Sequence, residues 1–244
     1  MSTTPSEPAG RGSTRTAVVW SGLEPVLAGP PRDVLDIGGG TGGLAVRVGA
    51  LGHRVTVVDP SPDALAALDR RAREHDVEVT GRQGDLSSLL DVAGAARADV
   101  VLCHGVLEVA GDPAAALATL AAALRPGGVL SLLVAQRHAA VVARAMAGHF
   151  QQALAMLDPV AHDVPTGRSG RRYTHDEIIE LVSGAGFTVD TVHAIRVFTD
   201  LVPGSLLDLE PGASAALVDL EQAVADRPEY RPLATQLHLL AHRA

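Results

Sequence analysis

Lysine is absent from the 244 residues, so all 20 basic side chains are arginine. With Ala and Val abundant, this reads as a compositional bias that carries no functional meaning. The arginines face 28 acidic residues, which leaves a net charge of −8 and a pI near 5.6. That balance opposes a strong global attraction to nucleic acid and argues against DNA as a partner, while leaving room for a local basic patch. There is one cysteine, Cys103, so no intrachain disulfide framework can form. A reducing, cytoplasmic setting is the simplest expectation. Runs of about 18 apolar residues are also missing, so no membrane-spanning helix is expected. The Ser/Thr/Pro/Gly-rich residues 1–16 lack the apolar core of a secretory signal. Aromatics make up 2% of the chain, so platforms for stacking bases are scarce. What is plentiful is apolar surface: 47% hydrophobic content is enough for one sizeable core.

The apolar pattern alternates between strand-like and helix-like segments. Residues 13–28 carry Ala17, Trp20, Leu23, Val26 and Leu27 at helical spacing, and Pro30-Pro31 ends the helix. Strands are expected at 32–37, 53–59, 77–80, 99–103, 129–135, 187–198 and 237–242. Helices are expected after the glycine run through Val48, over 62–74, 112–124 and 174–184. Ser61 with Pro62, and Thr174 with Glu177, have the chemistry of helix starts. Strands alternating with helices of 10–15 residues predict an α/β fold: a Rossmann-like, doubly wound, mostly parallel seven-stranded sheet with helices on both faces. Residues 136–172 interrupt that rhythm with an Ala/Met-rich helix and a His/Pro/Gly/Arg loop.

Residues 36–43 read Asp-Ile-Gly-Gly-Gly-Thr-Gly-Gly between the first strand and its helix. Glycines there let the backbone approach a ligand where a Cβ would collide. In open α/β sheets the ligand crevice lies at the carboxyl ends of the strands. Gly38, Gly40 and Gly42 are therefore expected to line a nucleotide pocket. Asp59 and Pro60 end the second strand, and the Asp59 carboxylate can accept from both hydroxyls of a ribose. By themselves these residues fit both NAD and S-adenosylmethionine. Two features favour the latter. Asp36 would repel a pyrophosphate but suits an ammonium group, and Gly84-Asp85-Leu86 is placed to meet the amino group of an adenine.

Asp36 with the glycine run, then Asp59, Asp85 and Leu124-Arg-Pro-Gly-Gly128, resemble the class I S-adenosylmethionine-dependent methyltransferases. The chain is similar over most of its length to the bacterial tRNA 5-carboxymethoxyuridine methyltransferases. The carriers of that likeness are Cys103-His-Gly-Val-Leu-Glu108 with Asp112-Pro113, His138, Ala147-Gly-His-Phe150, Arg196-Val-Phe-x-Asp200, Leu220-Glu221 and Pro228-Glu-Tyr230. The resemblance implies S-adenosyl-L-methionine as cofactor and the carboxylate of a modified wobble uridine as acceptor. It also implies that Arg15 holds the methionine carboxylate and that Gly38, Gly39, Asp59, Gly84, Asp85 and His104 line the cofactor pocket. Two departures bear on tRNA. Pro159-Val-Ala-His-Asp163 stands where the family often has a lysine-rich loop, and Ala135-Gln136 where it has Tyr-Asn. The corresponding organisation is a flexible stretch over 1–12 and a methyltransferase domain over 13–244, with residues 136–200 contributing a substrate cover.

Methyl transfer from a sulfonium is an in-line displacement, and the protein mainly aligns the reactants. A carboxylate nucleophile needs no base, and its site needs cations: Arg137, Arg171, Arg172 and Arg196 are the pool, with Arg168 nearby in sequence. A hydroxyl or amine nucleophile, as in a small-molecule O- or N-methyltransferase, makes a base useful. His104 and His138 are the candidates, since both follow strand ends. No metal site is expected, although His104 and Glu108 are four residues apart. Cys103 reads as a small buried hydrophobe. A third possibility is a non-catalytic protein that keeps the cofactor fold.

Overall fold

A computed structural model describes residues 11–157, 170–207 and 211–244, with side chains from Thr14 onward. The first part of the chain runs α1 (Arg11–Leu27), β1 (Asp33–Ile37), α2 (Gly43–Gly49), β2 (Arg54–Asp59), α3 (Pro62–Glu74), β3 (Val79–Gln83), α4 (Leu89–Ala93) and β4 (Ala98–His104). A 3-10 turn at Leu107–Val109 precedes α5 (Pro113–Ala123) and β5 (Leu124–Ala135). Next come α6 (Arg137–Met146), α7 (Phe150–Ala155), α8 (His175–Gly184) and β6 (Phe187–Ile195). The chain closes with α9 (Gly204–Leu207), α10 (Ala213–Val224), a 3-10 segment at Pro228–Leu233 and β7 (Gln236–Arg243). The expected helix starts are in place. Ser61 Oγ accepts from the Ala64 amide with Pro62 opening α3, and Thr174 and Glu177 form a reciprocal capping box on α8.

The seven strands form one sheet in the order β3-β2-β1-β4-β5-β7-β6. Pairs among β1 to β5 are parallel, and β7 is antiparallel to both of its neighbours. Helices cover both faces. Side-chain alternation sends Val100 and Leu102 towards Leu23 and Leu27 of α1, Val46 of α2 and Leu68 of α3. Val101 and Cys103 face Leu117 and Leu120 of α5 and Ile178 and Val182 of α8. Strand order reverses between β1 and β4, which opens a crevice at their C-terminal ends.

Several segments depart from the sequence expectation. β3 spans Val79–Gln83 rather than 77–80, because pairing with β2 runs from Val55↔Val79 to Asp59↔Gln83. It is an edge strand with four of five residues exposed, so hydrophobic pattern does not mark its bounds. β5 begins early: Leu124 pairs with Ala98 before the Arg-Pro-Gly-Gly turn loops out, and pairing resumes at Val100↔Val129. β6 stops at Ile195, three residues short of Phe198, because Arg196 takes a left-handed backbone at φ +59°. Finally, α4 and α10 were not anticipated. α4 is only five residues long, and α10 begins on Gly212 without a side-chain cap.

Candidate active site

At the C-terminal end of β1 the backbone doubles back. The Gly38 amide donates to Val58 O at 2.8 Å and the Gly42 amide to Gly39 O at 3.0 Å. Gly38 has φ +68°, and a Cβ there would collide with Val106 Cγ2, so only glycine keeps this passage open. Beside it lies a cavity of about 650 Å³ bordered by Gly38, Asp59, Pro60, Asp85, Leu86 and Val106. Five of those six come from the residues expected to hold the cofactor. Asp59 is braced: its Oδ2 accepts from the Gly40 amide and its Oδ1 from the Ser61 amide, each at 2.9 Å. Each oxygen keeps a lone pair for a further donor. Asp85 Oδ1 accepts from the amides of Ser87 and Ser88 and from both hydroxyls. The Ser87 hydroxyl leads in holding that carboxyl below its ordinary range. Gly84 follows from strand pairing, its amide donating to Asp59 O at 3.2 Å.

Asp36 is 3% exposed, and its Oδ2 lies 2.5 Å from where a Gly39 Cβ would stand. Burial, with repulsion from Asp59 adding to it, pushes its carboxyl up to about 7. It sits beneath the loop and is not among the residues that border the cavity.

The cationic residues gather on the other side of the crevice. Gln136 bridges to Tyr173, the Tyr173 amide donates to Ala135 O, and the Arg171 amide donates to Glu108 O. These bonds return the chain to the end of β5 and deliver Arg171 and Arg172 there. Arg171 is spent on the carbonyls of Ala110 and Gly111. Arg137 forms a two-pronged pair with Glu177 at 2.7 and 2.9 Å and also donates to Arg172 O at 3.1 Å. Arg196 pairs with Asp200. The guanidiniums of Arg15 and Arg172 make no hydrogen bond among the described residues. Burial depresses both, with repulsion from Arg196 at Arg15 and from Arg144 at Arg172, while Glu108 attracts each. Glu108, 7% exposed, accepts from the Ala135 amide through Oε1, and its buried Oε2 has no partner among the described residues. Only the fold shows that Glu108 attracts both guanidiniums. Arg168, His162 and the Pro159–Asp163 stretch lie outside the described residues, as do residues 1–10.

His104 closes β4 with Nε2 at 2.9 Å from Ser131 Oγ. Burial, reinforced by Arg15, lowers the imidazole to about 3, so it is neutral at pH 7. His138 is exposed and within 3.3 Å of the Gln136 amide nitrogen. Cys103 is fully buried, which pushes its thiol far up and leaves it inert. Among the described residues no His/Cys/Asp/Glu group could hold a metal, and no helix is long and apolar enough to cross a membrane. A larger cleft of about 1100 Å³ opens at the opposite end of the strands, around Asp33, Arg54 and Arg125. Its ion pairs, Arg54–Asp33 at 2.6 Å and Arg125 to Asp33 and Asp99 at 2.8 and 2.5 Å, tie strand starts together. It lies away from the crevice where this sheet type binds ligands.

A doubly wound sheet with a glycine passage at its switch point and acidic residues beside a nucleoside-sized cavity defines a nucleotide-cofactor enzyme. The Methyltransferase domain family model matches residues 17–192, and the chain belongs to that family. It is an S-adenosylmethionine-dependent methyltransferase. It is 29% identical over 96% of its length to the tRNA 5-carboxymethoxyuridine methyltransferase of Escherichia coli (strain K12), 89% of which is covered. It is 33% identical over 69% of its length to the ubiquinone biosynthesis O-methyltransferase of Methylobacterium sp. (strain 4-46), with 63% of that protein covered. Among solved structures it is similar to the magnesium protoporphyrin IX methyltransferase of Synechocystis PCC 6803. The TM-score is 0.61 at 18% identity, over 96% of this chain and 83% of that one.

Proposed function

We propose that the acceptor is a carboxylate on a carboxymethoxyuridine-type modification of tRNA. The observation that carries this reading is Arg172: a half-buried guanidinium beside the cofactor crevice with no hydrogen-bonded partner among the described residues. A cation so placed favours an anionic ligand, which a planar guanidinium can grip through two parallel bonds. The likeness to the E. coli tRNA enzyme extends over almost the whole chain and supports the same choice.

The residues present fit S-adenosylmethionine, because the Gly38 passage admits a ligand where a Cβ would collide. When bound, it supplies a methyl group made electrophilic by its sulfonium. Asp59 would accept from the ribose hydroxyls, and Asp85, Leu86 and Pro60 would hold the adenine. Arg15 would take the methionine carboxylate, and Asp36 would favour the ammonium group at longer range. Arg172 would orient the acceptor carboxylate, with Arg171 and Arg196 shaping its surroundings. Arg137 would contribute through the Arg172 carbonyl that it holds. A carboxylate is ionised at pH 7, so alignment rather than proton removal is what the protein must provide. Residues 136–200 and α1 would form the cover over the acceptor.

Transfer of labelled methyl to total tRNA, compared with a small-molecule extract of the source cells, tests this. Label in tRNA, with a raised KM for tRNA in Arg172→Ala, is the expected result. Label confined to the extract would sink the tRNA reading.

A further inference from the structure

The face of the sheet under α1 carries a row of polar side chains that crosses four strands. His104 on β4, Ser131 on β5, His238 on β7 and His193 on β6 occupy positions whose strand neighbours Leu102, Leu133, Leu240 and Ile195 are core residues. Strand pairing sets His193 directly opposite His238. The resulting contacts are continuous. His104 Nε2 lies 2.9 Å from Ser131 Oγ, which lies 2.8 Å from His238 Nε2. His238 Nδ1 lies 3.2 Å from His193 Nδ1, and His193 Nε2 is 3.3 Å from Asp226 Oδ1. Ser131 and His238 are fully buried, whereas the Asp226 side chain is 82% exposed. The row therefore runs from the active-site end of β4 to solvent. Helix α1 seals it: a Cβ on Gly22 would stand 2.9 Å from the His193 ring and 3.3 Å from that of His238.

The direction of the bonds follows from the charge at the outer end. The Asp226 carboxylate, 3.3 Å from His193 Nε2, favours the proton on that nitrogen. His193 Nδ1 must then accept from His238 Nδ1–H, and His238 Nε2 from the Ser131 hydroxyl. Ser131 Oγ in turn accepts from His104 Nε2–H. All three imidazoles are satisfied in the neutral form. That agrees with the lowering of each, in which burial dominates, with Arg15 acting on His104 and Arg231 on His193. His104 Nδ1 is left as a bare lone pair with no partner among the described residues. Packing alone does not call for this row, since apolar side chains would fill the same space without buried polar groups to satisfy.

We propose that the row is a proton path, and that the methyl-transfer site therefore also takes acceptors whose nucleophilic oxygen carries a proton, an alcohol or phenol. The balance is as follows. The acceptor oxygen forms the O–C bond, the C–S pair stays on sulfur, and the O–H proton goes to His104 Nδ1. His104 passes its Nε2 proton to Ser131, Ser131 passes its own to His238, and the shift continues through His193 to Asp226 and water. No imidazolium need persist in the core. The inference rests on methyl transfer at this site but not on the carboxylate reading.

The test is the tautomer of His104, read by nitrogen-15 NMR of histidine-labelled protein without any acceptor. The wild type should carry the proton on Nε2. Asp226→Lys replaces an anion by a cation beside His193 Nε2 at an exposed site, so the whole row should reverse and move the His104 proton to Nδ1. Adding Ser131→Ala should break that communication. A second measurement follows methyl transfer to catechol. Turnover is expected in the wild type, with kcat lowered more than tenfold and KM within twofold in Ser131→Ala. A His104 proton on Nδ1 in the wild type, a tautomer indifferent to residue 226, or no transfer to catechol would each overturn the proposal. Absence of label in tRNA with the tautomer reversal intact would remove only the carboxylate reading.

Discussion

Replacing Asp36 by Asn should make the protein more resistant to alkaline conditions, and the size of the effect follows from where the carboxyl sits. Asp36 is 3% exposed, and burial next to Asp59 raises it from 3.8 to about 7. Since the folded value lies above the unfolded one, the folded state retains a proton that the unfolded state gives up. That contribution to stability is full below about pH 4 and is lost as pH climbs through about 7. Over the whole window the loss is about 4 kcal/mol. Between pH 5 and pH 8 it is about 2–3 kcal/mol, because part has already gone by pH 5. Asn has nearly the same shape and cannot ionise, so whatever constant cost the substitution brings, its pH dependence at this site disappears. Urea unfolding of both proteins at pH 5 and pH 8 measures the difference of differences. The Asn variant should gain on the wild type by that amount at the higher pH. A gain below about 0.5 kcal/mol, or a change of opposite sign, would show that Asp36 is already ionised at pH 5 in the fold, against the burial argument.

Two further substitutions probe the site and its support. Asp59→Ala removes the carboxylate that accepts from Gly40 and Ser61, and calorimetric titration should show S-adenosylmethionine binding weakened by about 1–3 kcal/mol. Unchanged affinity would refute the ribose role. Glu221 is fully buried and accepts from the amides of Val197, Phe198 and Thr199 and from the Thr199 hydroxyl at 2.6–2.9 Å. Glu221→Ala leaves those donors stranded and should cost about 3–5 kcal/mol in chemical unfolding, with Glu221→Gln losing less. Equal losses for the two variants would mean that the hydrogen bonds are not what holds this turn.

The glycine passage, Asp59 and Asp85 were legible because the chemistry is local. A strand, a glycine-rich turn and a helix follow one another in the chain, and their composition states their geometry. The seven-strand count was legible for a similar reason, since each strand but the edge strand β3 carries its own apolar signature. α10 was not, because it lacks a capping side chain and its apolar stripe is weak. Arg137, Arg171 and Arg196 looked interchangeable in sequence. In the fold each is committed to a neighbour, and Arg172 stands apart only because Tyr173 ties the loop back to the end of β5.

By itself, then, the sequence determined the sheet, the cofactor loop and the class of chemistry, all written in residues near one another along the chain. The tertiary structure alone decided which arginine is available, that Glu108 attracts both Arg15 and Arg172, and that three histidines from three strands form one line. Those facts depend on strand order and register, which join residues as distant as Ser131 and His238, 107 positions apart. Nothing in the identity of a histidine within an apolar strand says which other strand its nitrogen will meet.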